Sequence, residues 1–387
     1  MFSTFSSFSS VQNTYIKPAI ATDIISAISG IAYAKDTSPY TVSGKTVYSF
    51  TSTIAQPTTC AVAQNKTGTF TITVKNSSKT IYYIIVAGGG GGGCGNGDGG
   101  GGSGGEVKYG SVTLQVGTYI CSCEIGGGGG GGEYKQAYIN TNPGADGNGF
   151  LGGISTLTIN GTIYSTIGGS AGAPYGLSNK ISPAGAYGGG SSGNGGASTT
   201  GSKGEVQFKG GDSPILNTGV QCLTMSGGGG GGAGGNGGNG TQNTLNAVMN
   251  FENNHLCAIS GPGGVGGNGI SSAAFSIPEL QFTNPQYFSA GGGGGVTAFF
   301  GFPSYSGISG NIGINATQST NNIGGKGGGA GRGQDVTILC TSGVNHTGSG
   351  GGAGGSPNDG FRLLYTPGDP EPRSVGAGGN GIIILSF

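Results

Sequence analysis

Apolar and polar residues alternate strictly over two stretches of the chain. Phe70, Ile72 and Val74 alternate with Thr69, Thr71 and Thr73, and Val112, Leu114 and Val116 with Ser111, Thr113 and Gln115. Successive side chains of a strand point to opposite faces, so this period of two predicts half-buried β-strands. Tyr82–Val86 and Ile382–Leu385 are instead unbroken apolar runs, the pattern of strands covered on both faces. Shorter candidate strands are Val47–Phe50, Tyr119–Ile125, Leu157–Ile159, Thr162–Ile167, Glu205–Phe208 and Val336–Cys340. The first residues follow another rhythm. Pro18 suits the opening turn of a helix, and Ile20, Ile24, Ile28 and Ile31 recur at helical spacing, which predicts a short amphipathic helix. Phe2, Phe5 and Phe8 recur every third residue and predict an extended arm. Composition shifts near Ser43. Residues 1–43 therefore read as an N-terminal attachment arm whose Phe and Ile series dock a partner, with packing of the helix on its own domain as the alternative. Residues 44–387 read as one composite domain.

Between the strands lie glycine tracts with a period of their own. The tract from Gly231 carries its non-glycines at Ala233, Asn236 and Asn239; another carries Pro262, Val265 and Asn268; Ala353 with Ser356, and Ala377 with Asn380, repeat the step of three. Three residues per turn is the repeat of the polyproline II helix, which makes no hydrogen bonds within itself. Two glycine faces and one substituted face describe such a helix buried on two sides, and substitutions on the open face are expected to be tolerated. The uninterrupted runs Gly88–Gly93, Gly126–Gly132 and Gly227–Gly232 suit burial on all sides. A buried backbone must pair its N–H and C=O groups, and without Cβ atoms neighbouring tracts can approach closely enough to pair with one another. Strands run directly into tracts at Gly88, Gly126 and Gly168, and the last tract runs into Ile382. The expected fold is mostly β: a β-sandwich interleaved with a bundle of packed polyglycine II helices.

Composition narrows the chemistry. Gly supplies 94 of 387 residues, while 15 Lys+Arg balance 15 Asp+Glu. A neutral chain has no electrostatic footprint for nucleic acid. No run approaches the ~20 apolar residues of a membrane span, and Met1–Ser10 lacks the basic start and apolar core of a secretory signal. Seven irregularly spaced Cys fit a reducing cytosol better than a disulfide framework. Cys121 and Cys123 share a strand face and read as small apolar side chains before a metal site. His255 and His346 stand alone. GxGxxG matches carry no meaning in polyglycine. Ser43-Gly44-Lys45-Thr46 imitates the end of a phosphate loop, but Pro39 occupies the position of its first glycine. Asn65, Asn76, Asn160, Asn239, Asn315 and Asn345 lie in N-glycosylation sequons, about as many as chance supplies in this composition. No catalytic residue, metal or cofactor is expected, and the chain reads as a non-enzyme.

The run YYIIVAGGGGGGCGNGDGGGGSGGEV from Tyr82, then GTYICSCEIGGGGGGG from Gly117 and the terminal GGNGIIILSF, resemble the glycine-rich domains of phage tail-fibre adhesins and large-virus surface proteins. The order is also similar to the glycine-rich extracellular region of the anaplastic lymphoma kinase receptor. The resemblance covers residues 44–387 and implies polyglycine II helices packed beside β-strands. It further implies a structural component of a virus particle surface (fibre, spike or capsid-associated protein) that acts as a host-receptor adhesin. The partners would be other virion proteins, copies of the chain itself, or a host surface receptor. The alternative is a secreted or cell-surface binding module. Recognition would fall to loops joining the tracts. The densest aromatic cluster holds Phe275, Phe282, Tyr287, Phe288, Phe299, Phe300, Phe302 and Tyr305, with Pro278, Pro285 and Pro303 marking loops. Tyr287, Phe288, Phe299, Phe300, Phe302 and Tyr305 are the expected contact residues, against the alternative that these aromatics complete the core.

Overall fold

A computed structural model describes residues 24–57, 61–93, 99–132, 147–174, 185–191, 204–213, 226–250, 255–260, 263–295, 298–300, 323–324, 329–330, 337–338, 340–353, 357–359 and 375–387. Among the described residues nine strands form in chain order before the middle of the chain: β1 Ile25–Ser29, β2 Ala32–Lys35, β3 Val47–Thr51, β4 Lys66–Val74, β5 Lys79–Val86, β6 Val107–Leu114, β7 Gly117–Ile125, β8 Ser155–Ile159 and β9 Thr162–Thr166. With the C-terminal strand Ile382–Ser386 they build two five-stranded antiparallel sheets. The first has the order β1-β4-β7-β8-β9 and the second β2-β3-C-terminal strand-β5-β6. The chain is mostly β, and its helical content among the described residues is confined to short 3-10 turns.

The inner faces of the two sheets share one core. Phe70, Ile72, Cys121, Cys123, Ile125 and Leu157 of the first sheet meet Phe50, Ile81, Ile85, Ile383 and Leu385 of the second. Phe50 stacks on Phe70 across the gap, ring centroids 4.9 Å apart. The alternation expected for residues 69–74 holds, with the even positions buried. The other alternating stretch holds only as far as Leu114: Val116 lies in the turn before β7 and is exposed.

The second sheet has a second apolar face. Val47, Ile84, Val86, Ile382 and Ile384 are covered there by Phe275, Leu280, Phe282 and Phe288. This cover is residues 270–290, a strap whose ends pair as Ile270–Ser271 against Tyr287–Phe288, with 3-10 turns Ser272–Ala274 and Pro278–Leu280 between them. Burial on both sides explains why β5 and the C-terminal strand lack alternation. The outer face of the first sheet has no such cover among the described residues and carries Thr67, Thr69, Thr71 and Thr73 of β4 with Ile120 of β7, which is 82% exposed.

Two expectations are corrected. The stripe Ile24, Ile28 and Ile31 does not lie on a helix: residues 25–29 and 32–35 are edge strands, one in each sheet. Ile25 and Ile31 are buried and Ile24 and Ile28 pack on the core. Gly30, at φ +79°, turns the corner between the sheets, and ladder bonds to β4 and β3 override the helical spacing. The composite domain therefore begins before Ser43, at least from Ile24. Ile20, Phe2, Phe5 and Phe8 lie outside the described residues. Glu205–Phe208 is the second correction. It forms bends whose amides bond to a glycine tract, Glu205 N–H to Gly185 O and Val206 N–H to Ala186 O. Of the expected strand Val336–Cys340, Thr337–Ile338 pair with Gly329–Ala330, and Val336 and Leu339 lie outside the described residues. The hairpin Gln242–Asn250 with His255–Ser260 has no counterpart among the expected strands.

Candidate functional site: the glycine array and its rim

The strands deliver the chain into the glycine tracts at one end of the sandwich. β5 leads into 88–93, β7 into 126–132, β9 into 168–174, and 375–381 leads into the C-terminal strand. Each tract is extended and bonds to other tracts. For 88–93 the partner changes with every residue and returns every third. Ala87, Gly90 and Gly93 donate to Glu106, Ser103 and Gly100; Gly88 and Gly91 donate to Gly153 and Phe150; Gly89 and Gly92 donate to Gly379 and Gly376, all at 2.9–3.0 Å. The carbonyls serve three further tracts. Gly169 and Gly172 donate to Gly88 and Gly91, Gly129 and Gly132 to Gly89 and Gly92, and Gly351 to Gly90. Tract 88–93 thus sits among six others: 99–106, 147–153, 375–381, 168–174, 126–132 and 348–353.

Tract 99–106 has the same environment. It donates to 167–173, 226–232 and 348–353, and accepts from 88–93, 185–191 and 291–295. In both tracts the donors descend or ascend the partner in steps of three, so the bonding has the period seen in the sequence. Closeness of approach explains the composition. An ideal Cβ on Gly90 would stand 2.0 Å from Ser170 O, and on Gly91 1.9 Å from Gly130 O. Backbone oxygens held by other tracts cannot yield as a flexible side-chain end would.

The few side chains inside are small and used. Ala171, Ala173, Ala353 and Ala377 are fully buried. Ser103 and Ser170 both donate from Oγ to Tyr187 O, at 2.7 and 2.5 Å. At the rim, where a tract lacks a neighbour, carboxamides replace the missing backbone. Asn380 accepts from Gly128 N–H at 2.8 Å and donates to Ile54 O at 3.1 Å. Asn65 accepts from Gly127 N–H, and Gln56 donates to Gly343 O and Gly378 O. Asn236 accepts from Lys209 N–H while Gly237 N–H donates to Lys209 O; Asn239 and Gly240 grip Asp212 in the same way. The spacing by three found these Asn positions, but it marked them only as open-face residues. Their role as acceptors is a correction, and so is the face of Ala377 and Asn380, which is buried beneath Ile54, Gln56 and Ser342.

The aromatic cluster divides. Phe275, Phe282 and Phe288 are strap residues of the core, so Phe288 offers no side chain for contact; Tyr287 beside it is 42% exposed. Phe299 and Phe300 lie in a short strand, Ala298–Phe300, paired in parallel with Pro357–Asp359. Phe302 and Tyr305 lie outside the described residues. The strap is held by more than apolar contact: Tyr82 Oη donates to Glu279 Oε1 at 3.1 Å, Thr283 N–H donates to Thr41 O, and Tyr109 stacks on Phe275 at 4.4 Å.

Titratable groups are placed for packing. Burial pushes the Cys121 thiol up to about 11, that of Cys123 to about 12, and the Tyr187 phenol to about 12, because desolvation disfavours the charged form. Burial also lowers the pKa of His346. These thiols are protonated at neutral pH and poor nucleophiles. Among the described residues no three His, Cys, Asp or Glu are grouped to hold a metal ion, and no helix is long and apolar enough to cross a membrane.

A β-sandwich that feeds its strands into a mutually bonded array of glycine tracts defines a glycine-rich structural domain. The glycine-rich domain family model matches residues 64–387, and the chain belongs to that family. No curated protein matches it.

Proposed function

We propose that this chain is a non-enzymatic structural component of a virus particle surface, a fibre, spike or capsid-associated protein, and that its glycine tracts are polyglycine II helices packed hexagonally. The observation that carries the reading is the six-neighbour bonding of tracts 88–93 and 99–106, with donors stepping by three along each partner. A three-residue repeat without internal bonds supports the helix type. An interior made of backbone leaves few side chains for chemistry, which supports a structural rather than a catalytic role. The particle setting is supported by the likeness of the strand-to-tract order to phage fibre and large-virus surface domains, and by buried, reduced Cys121 and Cys123, which suit folding in a reducing compartment. Tyr287 and the chain around Phe299 and Phe300 remain candidates for contact with a host receptor or neighbouring subunit.

Mass spectrometry of purified particles against cleared culture supernatant tests the assignment. Enrichment with the particle fraction, resistant to salt washing, is the expected result. Recovery in the supernatant as a processed, glycosylated protein would move the chain to the secreted or cell-surface binding modules.

A further inference from the structure

Asn-Gly is the dipeptide most prone to spontaneous loss of ammonia, because the unbranched glycine leaves its own N–H free to reach the Asn carboxamide. The chain uses this dipeptide repeatedly within its glycine tracts, and also once in a hairpin tip of the sandwich. The two settings differ in what holds the reacting atoms.

At three pairs of the array, those of Asn236, Asn239 and Asn380, both partners of the reaction are engaged. Gly237 N–H donates to Lys209 O at 3.0 Å while the Asn236 carboxamide oxygen accepts from Lys209 N–H at 2.9 Å. Gly240 N–H donates to Asp212 O at 2.9 Å while Asn239 accepts from Asp212 N–H at 2.8 Å. Gly381 N–H donates to Gly126 O at 2.8 Å, and the Asn380 carboxamide is bonded through both its oxygen and its nitrogen. Attack requires the glycine nitrogen to give up its proton and the carboxamide carbon to swing onto it. Here each motion breaks bonds to a neighbouring tract.

Asn160–Gly161 is the turn between β8 and β9, with Ile159 paired to Thr162. Both turn residues have positive φ, 51° and 75°, as a two-residue type I′ hairpin demands. Asn160 is exposed, and among the described residues its carboxamide has no hydrogen-bond partner. A Cβ built on Gly161 would meet nothing within 4 Å, so the tip has room to move.

We propose that Asn160 is a spontaneous deamidation site of the folded protein, and that the array keeps Asn236, Asn239 and Asn380 chemically inert. The deprotonated Gly161 nitrogen attacks Asn160 Cγ; the new C–N bond closes a succinimide as the C–N bond of the carboxamide breaks and ammonia leaves. One water then opens the ring, giving aspartate or isoaspartate at position 160. Water is the only co-reactant, and no electrons are transferred. The product carries one negative charge in a chain whose formal charge is zero, so it separates on isoelectric focusing.

The experiment incubates the full folded chain at mildly alkaline pH and follows each Asn-Gly pair by peptide mapping, with a parallel sample kept unfolded in urea. In the folded protein, conversion at Asn160 should outrun that at Asn236, Asn239 and Asn380 by at least about tenfold, because the latter must wait for local opening. In urea the four rates should converge. Asn160→Gln, checked for folding by circular dichroism, should weaken the early acidic band and remove the converted peptide that spans position 160. Asn236, Asn239 or Asn380 converting as fast as Asn160 in the folded chain, or an Asn160 that stays intact while folded, would overturn the proposal.

Discussion

The sandwich and the glycine array solve one problem, burial of backbone, by opposite means. In the sandwich, ladder bonds pair the backbone and side chains such as Phe50, Phe70 and Ile85 fill the space between sheets. A large apolar side chain buried there contributes about 1.5–3 kcal/mol by leaving water. In the array, the backbone fills the space itself, and Gly90 or Gly91 contributes by having no side chain. Ordering glycine costs more conformational entropy than ordering any other residue, so one tract alone has little to hold it. Six bonded neighbours around tract 88–93 change that balance only when all are present. The sandwich is thus tolerant in detail and specific in pattern. The array is specific at every atom and cooperative in assembly. The strands that run into tracts couple the two, since β5 and the C-terminal strand fix the register of 88–93 and 375–381.

The sharpest way to break the contrast is to add atoms to the array and remove them from the sandwich. Gly90→Val places a Cβ where Ser170 O stands 2.0 Å away. It should cost more than about 4–5 kcal/mol, the range reserved for severe mechanisms, and leave glycine-tract amides unprotected in hydrogen exchange. Phe50→Ala in the sandwich should cost about 3–5 kcal/mol by urea titration while tract amides stay protected. Equal, small losses at both sites would show that the array has slack, and the close-packing argument would fail.

Alkali acts on the sandwich through its buried thiols. Folded Cys121 and Cys123 hold their protons to about 11 and about 12, whereas the unfolded thiols release theirs near 9. Above pH 9 the unfolded state therefore binds fewer protons than the folded one, and stability falls as pH rises. The contribution is complete below the unfolded value and is lost as pH climbs towards 11 and 12. Urea midpoints measured between neutral pH and about 10.5 should decline for the wild type and decline less for Cys121→Ala/Cys123→Ala. Comparing slopes removes the constant cost of the two truncations. Identical slopes would mean that these thiols do not carry the effect.

Much of this was legible in residue spacing. Period two gave the core face of β4, unbroken apolar runs gave the doubly covered β5 and C-terminal strand, and period three marked the tracts and their odd residues. What spacing could not supply was partner identity. Ile24, Ile28 and Ile31 fit a helix until β4 and β3 offer ladder bonds. Phe275, Phe282 and Phe288 look like loop anchors until Val47, Ile84 and Ile384 are seen to need a cover. Asn236 and Asn239 look like solvent-facing fillers because an exposed carboxamide and one bonded to the adjacent backbone have the same sequence signature. Each failure concerns a contact far away in the chain, which local pattern does not encode.

Asn236 gives the smallest and most discriminating test, because it is a side chain doing a backbone's task. Its oxygen accepts from Lys209 N–H at the point where tract 235–240 runs beside 204–213. A pure open-face residue would allow Asn236→Ser with a change inside the ~0.5 kcal/mol of ordinary surface substitutions. The bonded geometry argues otherwise. Serine is shorter by one carbon and cannot bring an acceptor to the same place, so Lys209 N–H loses its protein partner and turns to water. Because the position is exposed, water can serve, and the loss should stay near the net value of one hydrogen bond, about 1 kcal/mol. Asn236→Ala should match Asn236→Ser, since neither reaches, and the double change with Asn239→Ala should roughly double the loss while leaving Gly90 amide exchange untouched. Losses indistinguishable from zero in both single variants would return Asn236 to the class of open-face filler and confine side-chain closure of the rim to the buried Asn380.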